Sequence, residues 1–380
     1  MRPPSGTSSP VVAIGYNTCH HAWTARGNLV QAILASGFGV VVIAPRDPFA
    51  EKLEAVGARV VDLPMKMNKN PATDLLLMLR FRKALARLRP AVYLGYTAKP
   101  NIFGSLAANS LGIPVVNNIT GLGAGFISQG LVTRIMKRLY RVALARSGMV
   151  FFQNPDDAAL FRDEGIIRHE RTGLLPGSGV DIARFAQAPM PARQGRRFRF
   201  LLIARMLRDK GVVEFVDAAR ALLAERDDVE FHLLGSVAVD NPAAIPARTL
   251  AAWLDEGIVR HDDFREDVRP DIVAADCVVL PSYREGTPRV LLEAAACGRP
   301  VITTDAVGCR ETVIDGETGF LCAPRDSADL ADKMRRMLGL APEALDALGR
   351  NGRRFVEGRF DERIVIDRYL EVIRSLAPQA

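Results

Sequence analysis

No apolar run in the 380-residue chain approaches the ~20 residues that a helix needs to cross a bilayer, which excludes a helical membrane span. Cysteine is scarce. The five present (Cys19, Cys277, Cys297, Cys309 and Cys322) show neither a CxxC pair nor metal-ligand spacing, and three lie among apolar or small residues. Buried free thiols in a reducing cytoplasm are therefore expected, with no metal site. There is no internal repeat and no low-complexity tract, which excludes a repeat array. Residues 1–10 are rich in Pro and Ser and poor in hydrophobics, so a frayed leader is expected there and not a signal peptide.

Negative charge is scarce in one half only. Residues 1–185 hold 22 Lys/Arg against 11 Asp/Glu, a net of +11, while the remainder holds 28 against 32, a net of −4. A basic half joined to a mildly acidic half implies that one domain meets a large anionic partner, for which nucleic acid and an anionic membrane surface both qualify.

A chain of 380 residues is too long for one ordinary core, so two domains are expected. Residues 11–16, 40–44, 60–63, 92–96, 115–118 and 149–153 read as short buried strands, with helical patterns over 28–36, 74–88 and 130–145 between them. That alternation predicts a parallel sheet with helices on both faces. A second alternation places strands at 198–204, 230–234, 278–280, 301–304 and 319–322, and an amphipathic helix at 362–375. Two prolines and a glycine in the stretch 186–195 mark a break. The expected organisation is an α/β pair of doubly wound, Rossmann-like domains facing each other across a cleft. Its parts are a basic domain over 1–185, a linker over 186–197, a second domain over 198–360, and a terminal helix over 361–380 packing back on the first.

The segment Glu285-Gly-Thr-Pro-Arg-Val-Leu-Leu-Glu293 sets two carboxylates eight positions apart across a small-residue turn, directly after the apolar run Cys277-Val-Val-Leu-Pro281. Strand, turn and helix is the expected order, with Glu285 on the loop at the strand's carboxyl end and Glu293 one turn into the helix. Open α/β sheets bind ligands at that edge, and a helix start offers backbone N–H groups to an anion. After the strand at 198–204 comes Arg205-Met-Leu-Arg-Asp-Lys210-Gly211, with cations at the strand end and at the next helix start. Arg grips two oxygens bidentately and Lys acts as a point charge, a pairing suited to a diphosphate. An exposed basic turn has the same composition. Taken together, cations for phosphate and carboxylates for hydroxyls describe a nucleotide-sugar site.

Residues 276–322, from Asp-Cys-Val-Val-Leu-Pro-Ser-Tyr-Arg-Glu-Gly-Thr-Pro-Arg-Val-Leu-Leu-Glu-Ala through Gly-Phe-Leu-Cys, resemble the donor-site signature of family 4 glycosyltransferases. The resemblance covers nearly the whole chain, through Arg205 and Lys210 and through Gly177-Ser-Gly-Val-Asp181. Asn70-Pro71, Thr97-Ala-Lys-Pro-Asn101 and Thr120-Gly-Leu-Gly123 are similar to the branch that extends polyprenyl-diphosphate-linked sugars in bacterial O-antigen, capsule or glycoprotein-glycan assembly. The resemblance implies a GT-B enzyme that retains anomeric configuration and needs no metal or other cofactor. Its partners would be a nucleotide-sugar donor, most simply UDP-linked, a polyprenyl-diphosphate-linked acceptor and the inner face of the cytoplasmic membrane.

By position, the resemblance assigns Glu285, Arg205 and Lys210 to catalysis, with Glu285 near the reacting sugar carbon and the two cations on the diphosphate, where leaving-group charge develops. It assigns Glu293 to the ribose hydroxyls, and Gly286, Thr287, Arg289, Val290, Gly15 and Gly235 to the donor. Pro288 has no N–H to offer. Thr97, Lys99, Asn101 and Thr120 fall to the acceptor. Two positions depart from the family. The loop after the first strand, Gly15-Tyr-Asn-Thr-Cys-His-His21, has a single glycine, leaving His20 or His21 to contribute; and the family's Gly before Phe-Arg-Glu-Asp-Val is Asp263. An epimerase or hydrolase on the same architecture, or a catalytically silent glycan- or lipid-binding subunit, are the alternatives. Neither accounts for the sites as well: no acid/base set stands ready for the first, and all four charged residues are intact.

Gly121-Leu-Gly-Ala-Gly125 has GxGxG spacing, not the GxGxxG of a dinucleotide fingerprint, and is expected to be a mobile loop beside the acceptor. The following helix, 130–146, carries Arg134, Lys137, Arg138, Arg141 and Arg146 with no acidic residue. Arg134, Lys137, Arg138 and Arg141 recur at helical spacing, with Ile135, Leu139 and Val142 forming the apolar face. A basic amphipathic helix suits anionic headgroups or a lipid diphosphate; a solvated face of an ordinary core helix is the plainer alternative. Arg80, Arg82, Lys83, Arg87 and Arg89 form a second basic stretch. Neither stretch interleaves aromatics, which argues against nucleic acid.

Overall fold

The computed structural model describes residues 9–65, 70–122, 130–192, 195–237 and 241–377. The chain divides into two compact units, one formed by Met1–Ser178 with Arg363–Ala380, the other by Gly179–Glu362.

In the first unit, strands β1 (Val11–Gly15), β2 (Gly39–Ala44), β3 (Arg59–Asp62), β4 (Val92–Tyr96), β5 (Val115–Ile119), β6 (Met149–Phe152) and β7 (Thr172–Leu174) form a parallel sheet in the order β3-β2-β1-β4-β5-β6-β7. Unbroken Val/Ile runs produce such strands because both faces are covered. One face carries α1 (Cys19–Ala35), α2 (Ala50–Ala55) and the terminal helix α13 (Glu362–Leu376); the other carries α3 (Pro71–Leu88), α4 (Ser105–Ser110), α5 (Leu131–Leu144) and α6 (Pro155–Asp163). Helix α1 starts nine residues before the predicted residue 28, because the Thr18 hydroxyl caps it by accepting the His21 N–H at 3.0 Å.

β5 breaks the apolar rule with Asn117 and Asn118, both buried. Asn117 Nδ2 donates to Asn101 Oδ1 and Ser105 Oγ, each at 2.8 Å, and Asn118 Nδ2 donates to Tyr369 Oη at 2.8 Å. The last bond ties α13 to the sheet. So does Arg26, which is 2% exposed and lies over the rings of Tyr96 and Tyr369 at 5.0 and 5.6 Å.

The second unit has β8 (Phe198–Ile203), β9 (Val229–Leu234), β10 (Arg260–Asp262), β11 (Cys277–Leu280), β12 (Val301–Thr304) and β13 (Gly319–Cys322), all parallel, in the order β10-β9-β8-β11-β12-β13. Helices α7 (Val212–Leu223), α8 (Ala247–Asp255) and α11 (Ser327–Leu338) cover one face, and α9 (Arg269–Ala274) and α10 (Arg289–Ala296) the other; α12 (Pro342–Arg359) contributes to both cores. Strand order reverses between β8 and β11, the topological switch point of a doubly wound sheet.

The unit boundary differs from the predicted linker at 186–197. The break falls at Ser178/Gly179. Beyond it, Val180 N–H donates to Phe360 O at 2.9 Å, Glu362 N–H donates to Val180 O at 3.1 Å, and Phe185 joins the core beside Val356 and Phe360. The Pro-rich stretch is held as well, for Arg299 Nη2 donates to Pro189 O at 2.7 Å. Prolines marked irregular backbone here, not a boundary between cores.

Candidate functional site

The loops after β8 and β11 leave adjacent central strands at their carboxyl ends, on the two sides of the switch point. After β8 the chain makes a short turn, Arg208–Lys210, and Gly211 starts α7. After β11 it runs through Pro281-Ser-Tyr-Arg-Glu285 to α10. The loops meet at one backbone oxygen: Tyr283 N–H donates to Asp209 O at 2.9 Å, and Ser282 Oγ lies 3.0 Å from the same atom.

That junction sets Lys210 Nζ 2.5 Å from Glu285 Oε1, which also accepts from Ser282 Oγ at 2.7 Å. The side chains of Lys210 and Glu285 are 21% and 15% exposed, so the pair sits at the surface of a recess and not in a dry core. An ammonium has three N–H donors, so two of those on Lys210 remain for other oxygens. Glu285 Oε2 and the exposed guanidinium of Arg205 have no partner among the described residues. The loop after β12 braces Glu285 from behind. Val307 O accepts the Glu285 N–H at 2.9 Å, and Gly308, at φ 81°, passes so near that a Cβ on it would lie 2.2 Å from Glu285 O.

Glu293 lies one turn into α10, 12% exposed, and accepts from Arg289 Nη2 at 3.0 Å. Gly286 and Thr287 are buried at the start of that helix, and Val290 is half-buried in its first turn. Gly235 follows β9 at the same edge, with φ 143°, and a Cβ there would lie 2.0 Å from Ala204 O. Six of the predicted donor residues thus gather with Arg205, Lys210 and Glu285 along one sheet edge. Sequence reasoning missed Ser282, Asp209 and Tyr283, whose hydroxyl donates to Glu214 Oε1 at 2.5 Å. The signal for Ser282 and Tyr283 was the Pro-Ser-Tyr-Arg run before Glu285, and Asp209 adjoins Lys210.

The residues predicted in the first unit fare less evenly. Gly15 ends β1, but its missing side chain makes room for Tyr93: a Cβ at Gly15 would lie 2.1 Å from Tyr93 Oη, and one at Gly104 1.9 Å from it. The absence of a side chain at Gly15 thus serves the packing of Tyr93. Asn101 is 1% exposed, its Oδ1 accepting from Asn117 Nδ2 and its Nδ2 donating to Asn118 O, each at 2.8 Å. Thr97 stands at φ 59°, unusual for a β-branched residue, with its hydroxyl donating to Tyr96 O at 2.6 Å. Lys99 pairs with Asp74 at 2.6 Å, and Thr120 is half-buried just past β5. His20 stacks on Phe49 at 4.5 Å, and its backbone N–H donates to Asp47 Oδ2 at 2.9 Å. Gly123 to Gly125 of the glycine-rich loop lie outside the described residues.

Helix α5 leaves two of the three residues of its apolar face, Ile135 and Val142, exposed. Thr133, Tyr140, Ala143 and Leu144 are buried, whereas Ile135 is 49% and Val142 62% exposed. The core chose Tyr140, whose ring meets Phe161 edge-on at 5.4 Å. Two of the four basic residues are occupied: Lys137 pairs with Glu164 at 2.7 Å, and Arg141 donates to Glu164 O and Gly165 O, capping the end of α6. Arg134 and Arg138 are exposed, with no partner among the described residues. Among those residues no helix is long and apolar enough to cross a membrane, and no His/Cys/Asp/Glu group could hold a metal ion. All five cysteines are free and buried; burial pushes Cys19 and Cys297 up to about 11 and Cys309 and Cys322 to about 12.

The family described as glycosyl transferases group 1 matches residues 197–339, and the glycosyl transferase 4-like domain matches residues 22–178. The chain belongs to the group 1, family 4-like glycosyltransferases. This glycosyltransferase is 28% identical, over 90% of its own length and 93% of the relative's, to the N,N'-diacetylbacillosaminyl-diphospho-undecaprenol alpha-1,3-N-acetylgalactosaminyltransferase of Campylobacter jejuni. It is also 28% identical to the capsular polysaccharide biosynthesis glycosyltransferase CapM of Staphylococcus aureus, over 43% of this chain and 42% of that one. Among solved structures, Anabaena HepE in complex with UDP-glucose superposes with a TM-score of 0.79 at 21% identity, covering 96% of this chain and 99% of that one. Its neighbours are GT-B enzymes, and the doubly wound pair predicted from the sequence is that fold.

Proposed function

We propose that this glycosyltransferase moves a hexose or N-acetylhexosamine from a UDP-linked donor to a hydroxyl of a polyprenyl-diphosphate-linked glycan, with retention of configuration and without a metal. The observation that carries the donor half is the Lys210–Glu285 contact at the switch point, with Arg205 on the same loop as Lys210. Arg205 and the two remaining N–H groups of Lys210 are suited to the diphosphate, and their charge counts most as negative charge grows on the leaving group. Glu285, held by Ser282 and Lys210 through Oε1, keeps Oε2 for a hydroxyl of the transferred sugar. Glu293, steadied by Arg289, is placed for ribose hydroxyls, and the start of α10 for phosphate oxygens. The chain supplies no protein nucleophile in this reading. Attack on the face of departure, with the leaving phosphate accepting the proton, is its mechanism.

The acceptor half draws support from the Campylobacter relative's substrate, from Thr97 in a left-handed backbone conformation, and from Thr120 at the neighbouring strand end. Strained residues of this kind cluster at ligand sites. The enzyme would work as a peripheral protein on the inner face of the cytoplasmic membrane. Ile135 and Val142 turned to solvent beside Arg134 and Arg138 give α5 the mixed apolar and cationic surface of an interfacial helix. Calorimetric titration with UDP tests the donor half: Arg205→Ala and Glu293→Ala should each weaken binding about tenfold or more, whereas unchanged affinity in both overturns the assignment.

A further inference from the structure

Arg26 takes no part in the transfer proposed above, yet it is a buried charge on α1. Among the described residues it has no ion-pair partner, and its Nε has no hydrogen-bond partner. Arg299, equally deep in the second unit, gives its guanidinium to the carbonyl oxygens of Ala188, Pro189 and Val273 at 2.7 to 3.0 Å. Arg26 lies over ring faces instead, 5.0 Å from the centroid of Tyr96 and 5.6 Å from that of Tyr369. Tyr16 stacks on the same Tyr96 ring, with centroids 4.8 Å apart and planes 13° from parallel. An arginine stays charged when buried, at a desolvation cost that a methionine in its place would avoid. What a methionine would not do is orient the rings. A cation draws an aromatic face toward itself, and the pull is strongest where water is excluded.

Each ring is tied to a strand end. Tyr96 closes β4 and is followed by Thr97, whose φ is 59° and whose hydroxyl donates to Tyr96 O at 2.6 Å. A β-branched residue holds that conformation only where its surroundings over-determine it. Tyr369 Oη accepts from Asn118 Nδ2 at 2.8 Å, and Asn118 Oδ1 accepts from Gln153 Nε2, just past β6, at 3.3 Å. Thr120 stands two positions beyond Asn118, and Tyr16 directly follows β1. The ends of four neighbouring strands, β1, β4, β5 and β6, are therefore keyed through rings that one buried cation holds.

We infer that Arg26 is a positioning residue for the lipid-linked acceptor: by fixing the rings of Tyr96 and Tyr369 it sets the strand ends that carry Thr97 and Thr120. The inference rests on the acceptor half of the function proposed above. Transfer from a radiolabelled UDP-sugar to a polyprenyl-diphospho-sugar is measured on the intact chain at varied acceptor and at varied donor. UDP affinity by calorimetry and a thermal melt accompany each variant. Arg26→Met fills the space without the charge. It should lower kcat/KM for the acceptor about 10²-fold, the cost of misplacing a bound reactant by about 1 Å, with UDP affinity unchanged in the folded protein. Arg26→Lys keeps a cation under the rings and should recover about tenfold of that loss. Tyr369→Phe keeps a ring beside Arg26 but removes the oxygen that Asn118 Nδ2 donates to, so it should raise the acceptor KM and not the donor KM. A wild-type acceptor kcat/KM in folded Arg26→Met overturns the inference. So do equal losses on the donor and acceptor sides, the result for a residue that only fastens the terminal helix, and so does an Arg26→Lys variant that recovers nothing. If Arg26→Met does not fold, Tyr369→Phe decides: a wild-type acceptor KM there overturns the inference. A wild-type chain that binds UDP yet transfers to no polyprenyl-diphospho-sugar overturns the acceptor half of the proposed function itself.

Discussion

Lys210→Ala is the perturbation that separates a donor clamp from an ordinary surface ion pair. In the free protein one Lys210 N–H is spent on Glu285 at 2.5 Å, and the ammonium is 21% exposed. Removing it does not strand Glu285, because Ser282 Oγ still donates to Oε1 at 2.7 Å and the carboxylate keeps access to water. The stability loss should therefore be about 1 kcal/mol, below the ~3–5 kcal/mol of a fully buried pair. A chain with at least ~5 kcal/mol of stability then remains more than ~99% folded, so unfolding cannot account for a large loss of activity. If Lys210 faces the diphosphate as charge develops, its loss should lower kcat about 10²–10³-fold, the effect of deleting one preorganised group that stabilises a transition-state anion. The assay is transfer from a radiolabelled UDP-sugar, with a thermal melt on the same preparation. Glu285→Ala should cost a similar factor, and the double variant little more than either single one, because the two act as one unit. Full activity in Lys210→Ala, or a loss matched by loss of folded protein, refutes the reasoning.

Gly15→Ala drives a methyl group into Tyr93 Oη, whose ring is confined on the other side by Gly104; about 1–3 kcal/mol of stability should be lost, with donor KM unchanged in the folded fraction. His232 has its pKa lowered, by burial first and by Arg199 second. The unfolded chain then binds more protons, so stability should fall as pH drops below about 6.5, and His232→Gln should flatten the melting temperature between about pH 7 and pH 5. With thiol pKa values raised to about 11 and 12 and the sulfurs buried, iodoacetamide at neutral pH should label no cysteine in the native protein and all five after denaturation. Prolonged EDTA treatment should leave transfer activity unchanged; activity lost to EDTA and restored by a divalent cation contradicts the metal-free reading.

The site in the second unit was legible because its strands are continuous apolar runs and its charged residues come directly after them. Glu285, Arg205 and Lys210 are placed by strand ends, and strand ends are what hydrophobic patterning locates best. The failures share a cause. Asn101 reads as a polar loop residue, yet buried Asn117 and Asn118 draw it inward, and such a network across three elements has no local signature. In helix α5 the apolar face of Ile135, Leu139 and Val142 was legible, but not the buried face of Tyr140, Ala143 and Leu144, whose match to Phe161 and the sheet depends on residues distant in sequence. The three-residue strands β7 and β10 are too short to carry a period at all. The boundary at Ser178/Gly179 is set by the bridge from Val180 to Phe360 and Glu362, partners about 180 positions away in sequence.

The central claim is sugar transfer to a lipid-linked acceptor. Its most direct measurement is incubation of the intact chain with a radiolabelled UDP-N-acetylhexosamine or UDP-hexose and a polyprenyl-diphospho-sugar, followed by organic extraction and anomeric analysis of the product. The account predicts label in the organic phase, one sugar longer, with the donor's anomeric configuration kept. Label released as free sugar or as an epimerised nucleotide-sugar, or an organic product of inverted configuration, contradicts it.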